Sequence, residues 1–417
     1  NARKIETKDK YIIPGLMDAN VHLIFGFSVA YMQKFEDQFE DIITEAAQIT
    51  LQNGVTTVFD SWGPLEPLKN VRNGINHHKI IGSRIYLAGN IVGLDGPLSR
   101  DFYAKDLKDL SQEYIDRING MWEQGVGREL MTMTPNQVRE KIREYLAKDI
   151  DFFKYAINGH GPGNGPFFLF SPKVQNILIE ETRKAGLTVQ THTVTVEGLR
   201  TAAEADTDLM QHCAITLEEL IPDSTIQLIV DKQIACTFNV PSTKYLESVL
   251  SDNNGPKDPN VKASGFLRNV LTVTDENRRM LIKAGAKILL STDGGIPWFD
   301  SPLMKGWAYK NMPEEAGDVL GNGHHIRLRA LIDKGLSPMK ALQAATRNIA
   351  RAYKLDNLGT LEKGKNADLV ILDGNPLADV ENYRKIYLVM KEGQTINREA
   401  LPEKRVLSDV NKYPGWK

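Results

Sequence analysis

The strongest constraint on this chain is a repeated alternation. Eight short apolar runs, most of them followed by a helical stretch, lie between residues 14 and 293. They are Pro14–Leu23, Val55–Asp60, Arg84–Ala88, Asp151–Ala156, Leu187–His192, Leu209–His212, Ile234–Phe238 and Lys287–Asp293. The helical stretches are Asp41–Asn53, closed by Gly54, then Glu66–His77, Ser171–Ala185, Val196–Ala205, Leu217–Lys232 and Asp275–Ala284. Strand and helix in alternation predict a parallel sheet, and eight repeats are the count of a (β/α)8 TIM-like barrel. Three of the later runs close on a histidine or an aspartate: His192, His212 and Asp293. Barrels of this kind carry their chemistry at the C-terminal strand ends, so these positions are candidate site residues.

The first run adds Asn20 and His22, which alternation places on one face of a strand. The fourth holds Lys154 in its apolar interior, where a cation is costly and calls for a reason. About sixty residues separate the third and fourth runs, with helical pieces near Asp109–Gln124 and Pro135–Lys148; an insertion of that length serves as a lid or pocket wall. Its Phe102, Tyr103, Met121 and Trp122 read as packing onto the barrel. His160, in a glycine-rich loop after the fourth run, is a candidate for polarising a carbonyl or binding substrate. Trp62, Asn239, Trp298 and Phe299 follow barrel strands and are candidate pocket walls. His324 and His325 lie beyond the last barrel loop and read as structural, and Cys213 and Cys236 as core thiols. No Ser-His-Asp elbow or reactive cysteine motif is visible.

The two ends of the chain differ from its middle. Lys10–Ile13 reads as a short strand. Ser337 caps a helix with Pro338 at its first position, ending near Tyr353. Gly359–Leu372 reads as strand, turn, strand, and Ile386–Lys391 with Gln394–Ile396 as a hairpin. Together they predict a small β-sandwich built from both ends (1–13 and 355–417) around a barrel spanning 14–354.

Among 417 residues, 41% are hydrophobic and 25% charged, with net charge −2 and no run of like charge, which points away from nucleic acid and anionic membranes. No apolar stretch approaches the roughly 18 residues of a membrane span. Two cysteines fit a reducing, cytoplasmic setting. The chain starts at Asn1, so a native N-terminus is expected to precede it. A small-molecule substrate and homo-oligomeric assembly are the expected partners.

One set of residues carries a resemblance. It comprises Pro14-Gly15-Leu16-Met17-Asp18-Ala19-x-x-His22, Lys154, Thr191-His192, Gln211-His212, Ser291-Thr292-Asp293, Ala345-Thr346-Arg347-Asn348 and Gly359-Thr360-Leu361-x-x-Gly364-Lys365-x-Ala367-Asp368-Leu369. With these the chain resembles the amidohydrolase superfamily over nearly its whole length. That family normally has His-x-His on the first strand; Asn20-Val21-His22 is similar instead to the Asn-x-His branch that contains molinate hydrolase and phenylurea hydrolases. A His-to-Asn substitution in an ordinary member is the other explanation.

The resemblance implies two divalent metal ions, zinc first, with cobalt or manganese as substitutes. Asn20, His22 and Asp293 would hold one and His192 and His212 the other. A carboxylated Lys154 would bridge them, formed when a neutral amine takes up carbon dioxide. Asp293 would be the general base for a metal-activated hydroxide. The implied activity is hydrolysis of an amide-like C–N or C–S bond in a neutral xenobiotic, a thiocarbamate or a phenylurea. An Xaa-Pro-type dipeptidase, an imidazolonepropionase-like cyclic amidase and a non-catalytic metal-binding homologue are the alternatives.

Overall fold

The computed structural model of the chain describes residues 4–25, 29–102, 107–159, 167–251, 264–296 and 317–408. Eight parallel strands form the barrel: β2 (Leu16–Val21), β3 (Val55–Asp60), β4 (Arg84–Leu87), β5 (Phe153–Ala156), β6 (Val189–His192), β7 (Leu209–Gln211), β8 (Ala235–Phe238) and β9 (Lys287–Leu290). They pair in register as two sets, β2-β3-β4 and β5-β6-β7-β8-β9. Isolated bridges from Val92 to Tyr155 and from Val21 to Gly294 join the sets at their two edges. The helices Phe39–Gln52, Leu65–Asn76, Pro172–Lys184, Val196–Glu204, Asp223–Asp231 and Ser264–Lys283 cover the outside. Their inward faces pack with alternate strand residues such as Val55, Val58, Ile85, Met210 and Ile288 in one large core.

A second cluster fills the barrel's interior with Met17, Ala19, Phe59, Phe152, Leu209, Ala235 and Leu289. Tyr353 seals it: the ring stacks on Phe59 at 3.7 Å between centroids, and its hydroxyl donates to Ala19 O at 2.9 Å. Gln190 Nε2 donates to that hydroxyl at 2.8 Å, so the buried phenol oxygen is satisfied on both sides.

The chain ends meet as expected. β1 (Tyr11–Pro14), β10 (Leu369–Leu372), β11 (Ile386–Lys391) and β12 (Gln394–Thr395) pair in that order. The expected sandwich takes the form of one four-stranded antiparallel sheet among the described residues. Arg84, at the start of β4, fastens it to the barrel: its guanidinium reaches Asp368 at 2.6 Å and also Glu392. This contact lies at the N-terminal barrel face, where residues serve stability rather than chemistry.

Several elements differ from the sequence reading. β9 ends at Leu290, three residues before Asp293, which turns out of the strand with φ 56°. The helix expected from Leu217 begins at Asp223, because Leu217 has φ 59° and Pro222 sets the entry. The helix expected from Asp275 begins at Ser264. The helix after Ser337 breaks at Thr346 (φ −144°, ψ −99°) into Pro338–Ala344 and Arg347–Ala352. Of the segment 359–372 only Leu369–Leu372 is strand; Gly359 and Gly364 take positive φ and make turns of the rest. A helix at Thr243–Ser251 carried no recognised sequence signal.

Candidate active site

The C-terminal strand ends bring the predicted residues Asn20, His22, His212 and Asn239 onto Asp293, with His192 packed against His212. β2 carries one extra residue relative to β3 between Asp18 and Val21. Such a bulge re-aims side chains. Above it Asn20 Nδ2 donates to Asp293 Oδ1 at 2.5 Å, and His22 Nε2 lies 3.2 Å from the same oxygen. On the other side Asp293 Oδ2 is 3.7 Å from His212 Nδ1 and accepts from Asn239 Nδ2 at 3.4 Å. The His212 ring meets the His192 ring edge-on at 5.0 Å between centroids. His212 and Asp293 both have positive φ, 58° and 56°, a conformation that non-glycine residues adopt where the surroundings enforce it. Behind Asp293, Gly295 allows the chain to pass close under the site; a Cβ there would fall 2.4 Å from His22 O.

Burial sets the electrostatics. Desolvation lowers the pKa of the Lys154 amine to about 8, against the pull of Asp293 and Asp60. Desolvation would raise the Asp293 carboxyl, but His212, His22 and Lys154 outweigh it and hold it well below the ordinary range. Burial also lowers His212, with Asp293 opposing, which favours the neutral imidazole that can ligate a metal.

Trp62 stands beside this group rather than open in it. It is buried, edge-on to His22 at 6.1 Å and stacked on Phe102 at 4.2 Å. Phe25 stacks on His22 from the loop after β2, at 6.4 Å. His160, Trp298, Phe299 and Tyr103 lie outside the described residues.

The structure adds residues that the sequence reading did not single out. Asp60, at the end of β3, accepts from Leu23 N at 2.7 Å and from Trp62 N at 3.1 Å. Trp62 O is in turn 3.3 Å from His22 Nδ1, and as a carbonyl it can only accept, so Nδ1 carries the proton and Nε2 faces Asp293. Burial pushes the Asp60 carboxyl up to about 6 against His22, these two N–H groups and Lys154. Its signal was present, since the second run closes on an acid as others close on histidine. Arg278, from the helix Ser264–Lys283, is buried and donates from Nη2 to Asn239 O at 3.2 Å. Its Nε and Nη1 have no hydrogen-bond partner among the described residues.

As they stand, no three His, Cys, Asp or Glu side chains among the described residues are spaced to enclose a metal ion. The donors instead close on one another through Asp293. Their chemistry nonetheless fits one. Asn20 Oδ1 is buried without a hydrogen-bond partner among the described residues, an acceptor that a cation would satisfy. Neutral imidazole, carboxylate and a lysine with depressed pKa complete a set of nitrogen and oxygen donors suited to zinc or a similar ion.

A family model described as Amidohydrolase family matches residues 11–396. The solved structure of molinate hydrolase superposes with a TM-score of 0.87 at 36% identity, covering 98% of this chain and 88% of that one. Phenylurea hydrolase B superposes with a TM-score of 0.87 at 34% identity, covering 96% and 88%. Among curated proteins, the ochratoxinase of Aspergillus niger is 23% identical over 393 residues, 90% of this chain and 72% of its own length.

Proposed function

The chain belongs to the amidohydrolase family, and on that premise we propose that it is a metal-dependent hydrolase of a neutral amide-like bond, the C–N bond of a phenylurea or the C–S bond of a thiocarbamate. The observation that carries this reading is the convergence of Asn20, His22, His212 and Asn239 on one carboxylate, Asp293, with His192 at the end of β6 and Lys154 within β5. Similarity to molinate hydrolase and phenylurea hydrolase B over nearly the whole chain supports the substrate class. The half-buried ring of Phe25, stacked on His22, makes an apolar flank for such a substrate, with the buried Trp62 packed behind His22.

Asn20, His22, His192, His212, Asp293 and Lys154, carboxylated, are the residues that would hold one or two divalent ions. A bound ion would supply a Lewis acid that acidifies water and polarises the scissile carbonyl. Asp293 handles the protons. Its Oδ1 is engaged by Asn20 and His22, while Oδ2 has only the longer contacts to Asn239 and His212. Oδ2 is therefore the oxygen that takes the proton from the attacking water. As the carbon–nitrogen or carbon–sulfur bond breaks, the same oxygen returns the proton to the leaving group. Asn239, held by Arg278, keeps that oxygen oriented.

One observation favours a second reading. The two unpartnered nitrogens of Arg278 would suit a carboxylate-bearing substrate such as a dipeptide. A panel of thiocarbamates, phenylureas and Xaa-Pro dipeptides separates the two. The expected result is hydrolysis of a neutral substrate, lost with chelator and restored by Zn2+, Co2+ or Mn2+. Activity confined to dipeptides, or indifferent to chelator, overturns the proposal.

A further inference from the structure

The helix Asn322–Asp333 lies in the outer ring, yet two of its side chains reach the site: Arg327 Nη2 donates to Thr292 O at 3.1 Å, and His324 meets the carboxylate of Asp18. His324 is 1% exposed, and its Nε2 lies 2.8 Å from Asp18 Oδ2, a close contact of ring and carboxylate without hydrogen-bond geometry. Asp18 is fully buried in β2, and its carboxylate is densely used. Oδ1 accepts from Asn20 N at 3.1 Å and Thr292 N at 3.1 Å, and Oδ2 accepts from Thr292 Oγ1 at 2.6 Å. Asp18 thus grips the peptide group of Asn20 and the residue before Asp293 at once. The grip matters because β2 and β9 form no ladder of their own. Beyond it, Asp293 N donates to Asn20 O at 2.9 Å, His22 N to Gly294 O at 2.8 Å and Ser291 Oγ to Asn20 O at 3.5 Å.

The imidazole is held from its other side as well. Its Nδ1 lies 3.2 Å from Gly321 O at the helix start. Gly321 has φ 85°, and a Cβ there would stand 2.7 Å from Nδ2 of Asn53, which caps the neighbouring helix Phe39–Gln52. Only glycine lets the chain turn so close to that helix, and the turn fixes where His324 enters.

We propose that His324 is a positioning residue which, through Asp18, sets the separation of Asn20 and Asp293 across the open seam of the barrel. A buried carboxylate with this many partners has one low-energy position, and losing one partner frees it to tilt. The backbone of Asn20 and Thr292 would follow. The proposal rests on the reading of Asn20 and Asp293 as metal-holding groups.

The test compares His324→Leu with His324→Gln in the full chain. Co2+ is titrated in, followed by visible absorption and by competition with a chelator, beside thermal melts and kinetics on a thiocarbamate or phenylurea. In His324→Leu, Co2+ affinity is expected to fall about 10–100-fold, the range for residues that orient ligands. Turnover should fall with it while KM changes little. His324→Gln keeps a donor near the position of Nε2 and should recover much of both. A folded Leu variant with wild-type Co2+ affinity and turnover overturns the proposal. So does a Gln variant no better than Leu, which would mean packing alone matters. If the Leu variant does not fold, Thr292→Val removes another donor to Asp18 without touching the helix. It should shift Co2+ binding the same way, and an unchanged Co2+ spectrum is contrary. Failure of the wild type to take up Co2+ removes the underlying reading too, whereas uptake identical in all variants removes this proposal alone.

Discussion

The barrel closes at two seams, and they are built differently. Between β4 and β5 the peptide groups do most of the work. Val92 N donates to Lys154 O at 2.9 Å and Ala156 N to Val92 O at 3.1 Å, with Asp151 adding one side-chain acceptor for Leu87 N. Between β2 and β9 the backbone bonds begin only after β9 has ended, and the carboxylate of Asp18 spans the gap. A seam of peptide bonds survives side-chain change. A seam that also leans on side chains is more exposed to it, and this one carries Asn20 and Asp293. The position of the chemistry thus depends on replaceable groups, which gives mutation direct access to it.

The largest effect should come at the β2/β9 seam itself. Asp293→Asn removes the proposed base, and turnover should drop by about 10²–10⁴. Steady-state kinetics within a few-fold of wild type would break the assigned role.

At the other seam, Lys154→Met should abolish tight binding of the second ion and most activity, read by metal analysis after dialysis. It also has a pH signature. The Lys154 pKa is lowered to about 8 in the folded chain by burial, below the unfolded value of 10.5. Between those values the unfolded chain binds more protons, so the stability of the metal-free protein should rise with pH across that window. The gain should be on the order of 1–3 kcal/mol, and Lys154→Met should flatten it. Denaturant unfolding at the two ends of the window measures this; an equal slope in both proteins would show that Lys154 is not the cause.

Asp60→Asn is expected to act more gently. An amide offers one acceptor where Asp60 uses two, so either Leu23 N or Trp62 N loses its partner. Metal affinity should weaken about 10-fold through a less restrained His22. The 15N shifts of His22 check the cause: an unchanged Nδ1–H tautomer and unchanged affinity would separate Asp60 from the site. Smallest of all, Thr292→Val should cost about 1–3 kcal/mol in denaturant unfolding by leaving Asp18 short of a donor. A loss no greater than at an ordinary surface threonine would mean that the seam does not depend on that carboxylate.

These seams also explain what could be read in advance. Period-two apolar runs and helix caps are local, so the strands and most helices were legible from Val55–Asp60 or Ser337-Pro338 alone. His192, His212 and Asp293 were legible because the fold places chemistry where a strand ends. The early end of β9 was missed although Asp293-Gly294-Gly295 is a turn sequence; Asp293 takes positive φ there with its carboxylate held by Asn20 and His22. His324 was out of reach for another reason: its partner is 306 positions earlier in the chain (324 − 18). Arg278 met Asn239 only once the helix Ser264–Lys283 was in place.

The central claim is that the β2/β9 seam closes around a metal that Asn20 and Asp293 share. Anomalous scattering from a crystal of the zinc-loaded protein tests it most directly. The account predicts a peak about 2.0–2.2 Å from Asn20 Oδ1, His22 Nε2 and an Asp293 oxygen, with the Asn20 amide released from its bond to Asp293. A zinc-loaded crystal with no peak at this seam, or a peak that leaves Asn20 still donating to Asp293, would contradict it.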